Sequence, residues 1–360
     1  MSFIVDYNCF TPLGATLSAT VDQVEAGVSG IQRFDDSTLL PGAYYAARFA
    51  GSLEGKPGFS RLENMLLRVL EPLMKRHPPK GRSLLLVSTT KGNVSALAGG
   101  PEGAFLARMA EKIAGHLGFR ETPWVLSNAC VSGILAVAVA RRMVDAGVFD
   151  SVYVVAGDEV TEFVLSGFSG FQALSQGPCK PYDRHRDGVT LGEAAAAVLV
   201  GRQKGPYRII GDGAVNDANH ISGPSRTGEG LYRSIRLALQ EAGLRGPELD
   251  YISAHGTATE YNDEMEAIAL DRLGLNQVPV NSLKGYFGHT LGASGLLEAV
   301  VSFEAARRGI LYASLGFDTP GVSREIRVLR QSEEASVRYF MKTASGFGGC
   351  NTAVIFEKTD

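Results

Sequence analysis

The sequence predicts an α/β protein built from two like halves. Three observations carry the prediction. Short apolar runs suited to strands alternate with amphipathic stretches suited to helices. The alternation restarts near residue 206. The length, 360 residues, exceeds one typical domain and makes two lobes the default. The expected division is residues 1–205, carrying one cysteine in a small-residue turn, and residues 206–360, carrying two histidines in similar turns.

The first half reads in order as follows. Residues 3–10 form a strand, with Thr11-Pro12-Leu13-Gly14 as its turn. Residues 17–26 have helical spacing, with Leu17, Val21 and Val24 on one face, and stop at Gly27. A glycine-rich aromatic stretch runs to Gly51. Residues 61–75 form a helix with Leu62, Met65, Leu66, Val69 and Leu70 on one face, and Pro72 is expected to kink or shorten its last turn. Residues 83–88 suit a buried strand. Residues 89–100 read as a polar loop and 104–117 as a second amphipathic helix. Val125-Leu126 then leads into Ser127-Asn128-Ala129-Cys130-Val131-Ser132-Gly133, and an apolar helix runs to about Asp145. Residues 151–157 form a strand. Residues 161–175 set Phe163, Phe168 and Phe171 among glycines. Residues 178–192 make a charged crossing, and 194–200 a small-residue strand.

The second half repeats the rhythm. Residues 208–214 form a strand, 227–242 a helix, and 250–254 a strand feeding His255. Residues 263–273 form a helix, 278–282 a strand and 291–307 a helix. Residues 339–343 and 352–357 are strands flanking a glycine turn. No short-period repeat or low-complexity tract interrupts the pattern.

Composition limits the function classes. Hydrophobic residues make up 45% and charged residues 20%, which fits a globular enzyme. A net charge of −3 gives no general basic field for nucleic acid. Cys9, Cys130, Cys179 and Cys350 are far apart, with no C-x-x-C pair, so a zinc site is not expected. The N-terminus lacks a basic region followed by an apolar core, and no run of about 18 apolar residues occurs. A cytoplasmic protein with free thiols and no membrane span is the expectation.

Four stretches could carry chemistry. Cys130 falls where a strand turns into a helix, so free N–H groups and the helix dipole are expected to lower its pKa; the alternative is a buried structural cysteine. His255-Gly256-Thr257-Ala258-Thr259 sets a histidine and two hydroxyls just beyond a strand; the alternative is a satisfied structural histidine. Lys284 and His289 follow another strand, and a lysine near two histidines keeps them neutral. A neutral imidazole can donate a hydrogen bond to a developing oxyanion. Gly346-Phe347-Gly348-Gly349 is a turn that can present main-chain N–H groups to a ligand; the alternative is a plain hairpin. The charged run from Lys180 to Gly188 reads as a structural ion-pair loop, with His185 structural. His77, His116 and His220 have no supporting context.

Taken together, these blocks resemble the β-ketoacyl-acyl carrier protein synthases, condensing enzymes of the thiolase superfamily, in the subgroup with one cysteine and two histidines. The resemblance rests on Thr11-Pro12-Leu13-Gly14 with Gly30-Ile31, the Cys130 turn, and Lys180-Pro181-Tyr182-Asp183 with Arg186-Asp187-Gly188 and Gly192-Glu193. It continues through His255-Gly256-Thr257 to Glu266, Asn281-Ser282 to Gly295, and the glycine turn around Phe347. It covers nearly the whole chain. It implies a thiolase-like fold of five layers, α/β/α/β/α, from two duplicated halves. It implies that Cys130 accepts an acyl group, with the N–H groups of Cys130 and Phe347 as oxyanion hole. His255 and His289 would bind the malonyl thioester and stabilise the enolate left by decarboxylation. Lys284 would tune His289. Glu266 would be a buried carboxylate near it, with Glu298 a second candidate. Thr257 and Thr259 would hold the phosphopantetheine arm, and Phe168 and Phe347 would shape the acyl pocket. No cofactor or metal is implied. The implied partners are an acyl carrier protein and a second subunit, identical or a related synthase-like chain.

Some residues depart from the family's pattern. The region before Cys130 is shorter than usual, Ala258 and Asn262 differ in the His255 turn, Thr343-Ala344-Ser345 replaces the usual Asn-Ser-Phe, and Gln172 falls where an arginine often stands. They suggest a divergent synthase of a specialised pathway. Two rival readings are a thiolase-type acyltransferase using coenzyme A and a non-catalytic partner resembling a chain length factor. Cys130, His255 and His289 together argue against both.

Overall fold

A computed structural model describes the 360 residues except Asp36, Thr38, Ser52, Ala218, His220, Ser222 and Asp360. The first half runs β1 (Phe3–Phe10), α1 (Leu17–Glu25), β2 (Ile31–Phe34), β3 (Tyr44–Ala47), α2 (Arg61–Arg76), β4 (Ser83–Ser88), α3 (Leu106–Leu117), β5 (Trp124–Leu126), α4 (Ser132–Asp145), β6 (Ser151–Asp158), α5 (Glu162–Gly170), β7 (Leu191–Gly192) and β8 (Ala194–Gly201). The second runs β9 (Tyr207–Asn216), α6 (Glu229–Ala242), β10 (Tyr251–Ser253), α7 (Glu260–Arg272), β11 (Val280–Asn281), α8 (Lys284–Phe287), α9 (Ser294–Arg308), β12 (Ile310–Leu311), β13 (Glu333–Glu334), β14 (Tyr339–Gly346) and β15 (Cys350–Lys358).

The main sheet has the order β11-β10-β14-β15-β9-β1-β8-β6-β4-β5. Ranked by position in the chain, each set of five strands reads third, second, fourth, fifth, first. The pairing sense also repeats. β4 is parallel to β5 and β6, as β10 is to β11 and β14. The remaining pairs within each set are antiparallel. Among the described residues, a short strand contact, Phe3 with Arg208 and Ile4 with Tyr207, joins the two sets.

Helices complete the layers because the strands are apolar on both faces; β8, for instance, is buried along its whole length. α2 and α3 bury Leu66, Val69, Leu70 and Ile113 against the outer face of the first set. α4 and α9 share one core between the two sets. α6 contributes Leu231 and Ile235, and α7 Met265 and Leu270, to the core on the outer face of the second set. The result is the five-layered thiolase-like arrangement. α9 is buried from Ser294 to Ala306, as a central-layer helix must be. Gly133 at the start of α4 permits the close crossing: a Cβ there would lie 2.7 Å from the Gly292 carbonyl oxygen.

Several element boundaries differ from the expectation. α2 continues through Pro72 to Arg76, because its buried face carries on to Leu73. α7 starts at Glu260 rather than 263; its polar first turn carries no apolar periodicity. α6 starts at Glu229 after Gly228 in the left-handed conformation, φ 63°. β14 and β15 extend to Gly346 and Cys350, which shortens the glycine turn to a hairpin loop of Phe347, Gly348 and Gly349. The charged crossing makes an ion pair, Arg186 Nε with the buried Asp263 at 4.0 Å, and is fastened largely through main-chain groups. Asp183 accepts main-chain N–H groups of His185, Asp318 and Thr319, and Arg186 donates to the carbonyls of Asp183, Gly321 and Glu260. Asp187 in the same run accepts the Ser175 hydroxyl at 2.5 Å and the Gln176 N–H at 3.1 Å.

Candidate active site

The two halves bring Cys130, His255 and His289 to one point. One ligand-type atom from each lies within 4.8 Å of the others, and all three residues are buried. The His289 Nε2 is 3.0 Å from the Cys130 Sγ. The two imidazole rings stand edge to face, with centroids 5.2 Å apart. Each residue sits at the exit of a strand: Cys130 between β5 and α4, His255 after β10, His289 after β11 and α8. Among the described residues, the non-glycine residues with positive φ are Ala129, Gln172, Tyr182, Ala258 and Leu291. Ala129, Ala258 and Leu291 lie within three residues of the triad members. Backbone strain is thus concentrated where the three side chains are aimed.

Cys130 precedes the first turn of α4, and Ser132 fastens the approach. Its Oγ accepts the Asn128 N–H at 2.7 Å and donates to the Ala129 carbonyl at 2.6 Å. The main-chain N–H of Phe347 points at the Cys130 sulfur. A Cβ on Gly346 would meet the Cys130 nitrogen at 3.0 Å, so the glycine turn lies directly against the nucleophile turn. The expected low thiol pKa is not what this environment favours. Burial pushes the thiol up to about 11, and the Lys284 and Lys91 charges and the Phe347 N–H offset it only in part. Both imidazoles are pushed well below their ordinary pKa, first by burial and then by the Lys284 ammonium. The unliganded pair is therefore a neutral thiol beside a neutral imidazole.

Hydrogen bonding fixes where the imidazole protons lie. Lys284 Nζ, which can only donate, is 3.4 Å from His255 Nδ1 and leaves the proton on Nε2. Ser294 Oγ accepts the Thr290 N–H at 3.0 Å, so its own proton is free for His289 Nδ1 at 2.9 Å. Both Nε2–H groups are then donors toward the space in front of Cys130. Lys284 Nζ also donates to the His255 carbonyl at 2.5 Å and pairs with Glu298 at 2.7 Å. Glu298, rather than Glu266, is thus the carboxylate in contact with Lys284. Glu266 lies beneath the His255 turn. It accepts the N–H groups of His255 and Gly256 at 2.9 and 2.5 Å and the Tyr182 hydroxyl at 3.0 Å.

A cleft of about 550 Å³ leads from the surface to the triad. Phe168, Phe347, Thr257 and Thr259 line it. The Phe168 and Phe347 rings stack at 5.8 Å, and Phe171 meets Phe347 edge-on at 5.6 Å. The Thr257 and Thr259 hydroxyls are 2.8 Å apart. The triad is also the one grouping among the described residues whose ligand atoms lie close enough for a metal ion. The buried ammoniums of Lys284 and Lys342 stand behind the imidazoles and oppose a cation there. His77 and His116 lie elsewhere, beside Asp6 and Glu71, and His185 lies in the charged crossing. His220 lies outside the described residues.

Comparison with known proteins agrees with this geometry. The profile of the β-ketoacyl synthase N-terminal domain matches residues 81–205, and that of the C-terminal domain matches residues 207–318. The chain belongs to the β-ketoacyl synthase family. A 3-oxoacyl-[acyl-carrier-protein] synthase 2 of Rhizobium meliloti is 34% identical over 252 residues, 64% of this chain. The match spans only 59% of that relative's length. A synthase of the same description from Vibrio cholerae is 28% identical over 93% of this chain and 82% of its own. Among solved structures, the ketosynthase ApeO of Xenorhabdus doucetiae, in complex with its chain length factor ApeC, superposes with a TM-score of 0.93 at 25% identity. That superposition covers 99% of this chain and 98% of that one.

In this member of the family, several residues that depart from its pattern are built into the scaffold of the site. Asn262 donates to Asp263 and Glu266 at 3.2 and 3.1 Å. Thr343 Oγ1 reaches Glu266 at 3.4 Å, and Ser345 donates to Asn351 at 2.8 Å. Gln172 lines the cleft. Three participants went unnoticed in the sequence. Ser294 orients His289. Asp158 accepts the Gly292 N–H at 2.8 Å together with the Thr89 hydroxyl and the Thr90 N–H and hydroxyl, tying the His289 turn to the first half. Lys342 is fully buried beside Glu298. Only Lys342 left a signal, as the charged residue inside a buried strand.

Proposed function

We propose that this chain is a β-ketoacyl-acyl carrier protein synthase, joining an acyl thioester to malonyl-acyl carrier protein by decarboxylative Claisen condensation in fatty acid or polyketide synthesis. The observation that carries the reading is the buried Cys130–His255–His289 cluster, with two Nε2–H donors converging on the space before the thiol. In the first half-reaction Cys130 Sγ attacks the carbonyl of the acyl thioester. The oxyanion takes the N–H groups of Cys130 and Phe347. Collapse releases the carrier thiol, which ends with the cysteine proton.

In the second half-reaction the malonyl C–C bond breaks and carbon dioxide leaves. The electron pair passes into the thioester enolate, whose oxygen accepts the two Nε2–H groups. The enolate carbon attacks the acyl-Cys130 carbonyl and expels the thiolate, which regains a proton as the β-ketoacyl thioester departs. Neutral imidazoles in a dry site suit this step, because they donate to a charge that exists only during it. The Thr257 and Thr259 hydroxyls would receive the phosphopantetheine arm and the Phe168–Phe347 side the acyl chain, and no resident cofactor or metal is required.

The partners in this reading are an acyl carrier protein and a second subunit, identical or a related synthase-like chain. The exposed outer edge of β5, with Trp124 half-exposed, is an unpaired sheet edge on which a second subunit could continue the sheet. The unpaired Cys9, Cys130, Cys179 and Cys350 fit a reducing cytoplasm, and no helix among the described residues is long and apolar enough to cross a membrane. A chain-length-factor-like role is disfavoured by the cysteine itself. The test is mass spectrometry of carrier-bound products after incubation with acyl-carrier primers and malonyl-carrier. β-Ketoacyl products two carbons longer than the primer are expected. Unchanged primers across a broad acyl set would contradict the proposal.

A further inference from the structure

Lys342 is the largest buried cost in the site for which the mechanism above has no use. Its side chain is fully buried in β14, between Met341 and Thr343, which are buried as well. The ammonium donates to the carbonyls of Ser253 and Ala254 at 3.1 and 2.9 Å and pairs with Glu298 Oε2 at 2.6 Å. The other Glu298 oxygen holds Lys284, which in turn holds the His255 carbonyl. One carboxylate thus bridges two ammoniums, and those ammoniums grip three successive carbonyls, those of Ser253, Ala254 and His255. An apolar residue of similar length would fill this volume without desolvating a charge, so stability does not call for a lysine here.

We infer that Lys342 is a positioning residue for the decarboxylation step: it fixes the end of β10 so that His255 is aimed at the enolate oxygen, and with Lys284 and Glu298 it keeps a net positive charge behind both imidazoles. This rests on the proposed function. The charged and titratable groups around the histidines are few. His255 faces Lys284, Lys342, His289 and Cys130, with Glu298 between the lysines and Glu266 under its main-chain N–H. His289 faces Cys130, Lys284 and Lys342, with Asp158 bound to the Gly292 N–H of its turn. Lys342 lowers the proton affinity of both rings, alongside burial and Lys284. Removing its charge moves the protonation of both rings, and hence the acid limb of decarboxylation, to higher pH.

The test compares wild type, Lys342→Met and Lys342→Gln in two assays. One is single-turnover acyl transfer from an acyl-carrier thioester to Cys130; the other is carbon dioxide release from malonyl-carrier across pH. Gln keeps donors for the carbonyls without the charge, and it carries the test if Met does not fold. The expected result is acyl transfer within about threefold of wild type, carbon dioxide release down about tenfold or more in the Met variant, and an acid limb displaced upward in both variants. In Lys342→Ala, methylammonium should restore part of the release. Equal loss of both half-reactions with an unmoved pH profile, unchanged release, or failure of all variants to fold would overturn the inference. Wild type without carbon dioxide release would instead overturn the proposed function, and this inference with it.

Discussion

At Cys130, burial and local donors act in opposite directions, and burial prevails. Because the thiol is pushed up to about 11, alkylation of Cys130 by iodoacetamide should still accelerate above pH 9. A plateau below pH 8 would show that the helix N-terminus dominates instead. Cys130→Ala should abolish condensation yet retain malonyl decarboxylation, which needs the histidines and not the sulfur; comparing β-ketoacyl product with carbon dioxide release checks this. His289→Ala should lose about a hundredfold or more in decarboxylation, while acyl transfer to Cys130 survives on the Phe347 and Cys130 N–H groups. A single-turnover assay separates the two steps, and equal loss of both would refute that division. Since both imidazoles are held well below their ordinary value of 6.5, the neutral donor form persists as pH falls from 7.5 to 6. Carbon dioxide release should therefore stay nearly flat over that range, and half-loss near pH 6.5 would contradict the reading. Cys130, His255 and His289 each stand at a strand exit among small residues, which alone marks them only as candidates; their roles were legible through the resemblance that the ordered motif blocks carry. Ser294 and Asp158 were not, since a serine and an aspartate at element ends are ordinary caps, and only tertiary placement gives them their partners.

The elements that position these residues depend on close backbone approach. α4 meets the Gly292 turn at Gly133, where a Cβ would stand 2.7 Å from a carbonyl oxygen and 3.0 Å from Leu296. Backbone there cannot yield as a flexible side chain could. Gly133→Ala should destabilise the protein by about 1–3 kcal/mol and displace the turn that carries His289. Thermal unfolding together with carbon dioxide release tests both effects; a variant as stable and active as wild type would show that the crossing is looser than described. Strands and helices with strong periodicity were readable at this scale, β4, β8 and α2 among them. The start of α7 was not, because Glu260, Tyr261 and Asn262 face polar surroundings and carry no apolar spacing. The glycine turn looked longer than it is, because Ala344 and Ser345 gave no strand signal although both pair within β14.

In the whole molecule, the repeated strand order places both exits that matter at one seam. Cys130 comes from the first half and the two histidines from the second, so neither half alone holds the site. Alternation of strands and helices made the two halves legible, whereas their common strand order and the short β1–β9 contact arise from long-range pairing that leaves no local pattern. Light scattering should give the mass of a dimer for the protein alone or with a synthase-like partner, and a persistent monomer active by itself would contradict that part of the proposal. The central claim is that Cys130 carries the acyl group which the malonyl-derived enolate then removes. Peptide mass spectrometry after mixing with an acyl-carrier thioester, followed by a chase with malonyl-carrier, tests it most directly. The acyl group should appear on the Cys130 peptide and leave during the chase with one carbon dioxide per acyl group lost. An adduct on another cysteine, or one on Cys130 that the chase does not remove, would contradict it.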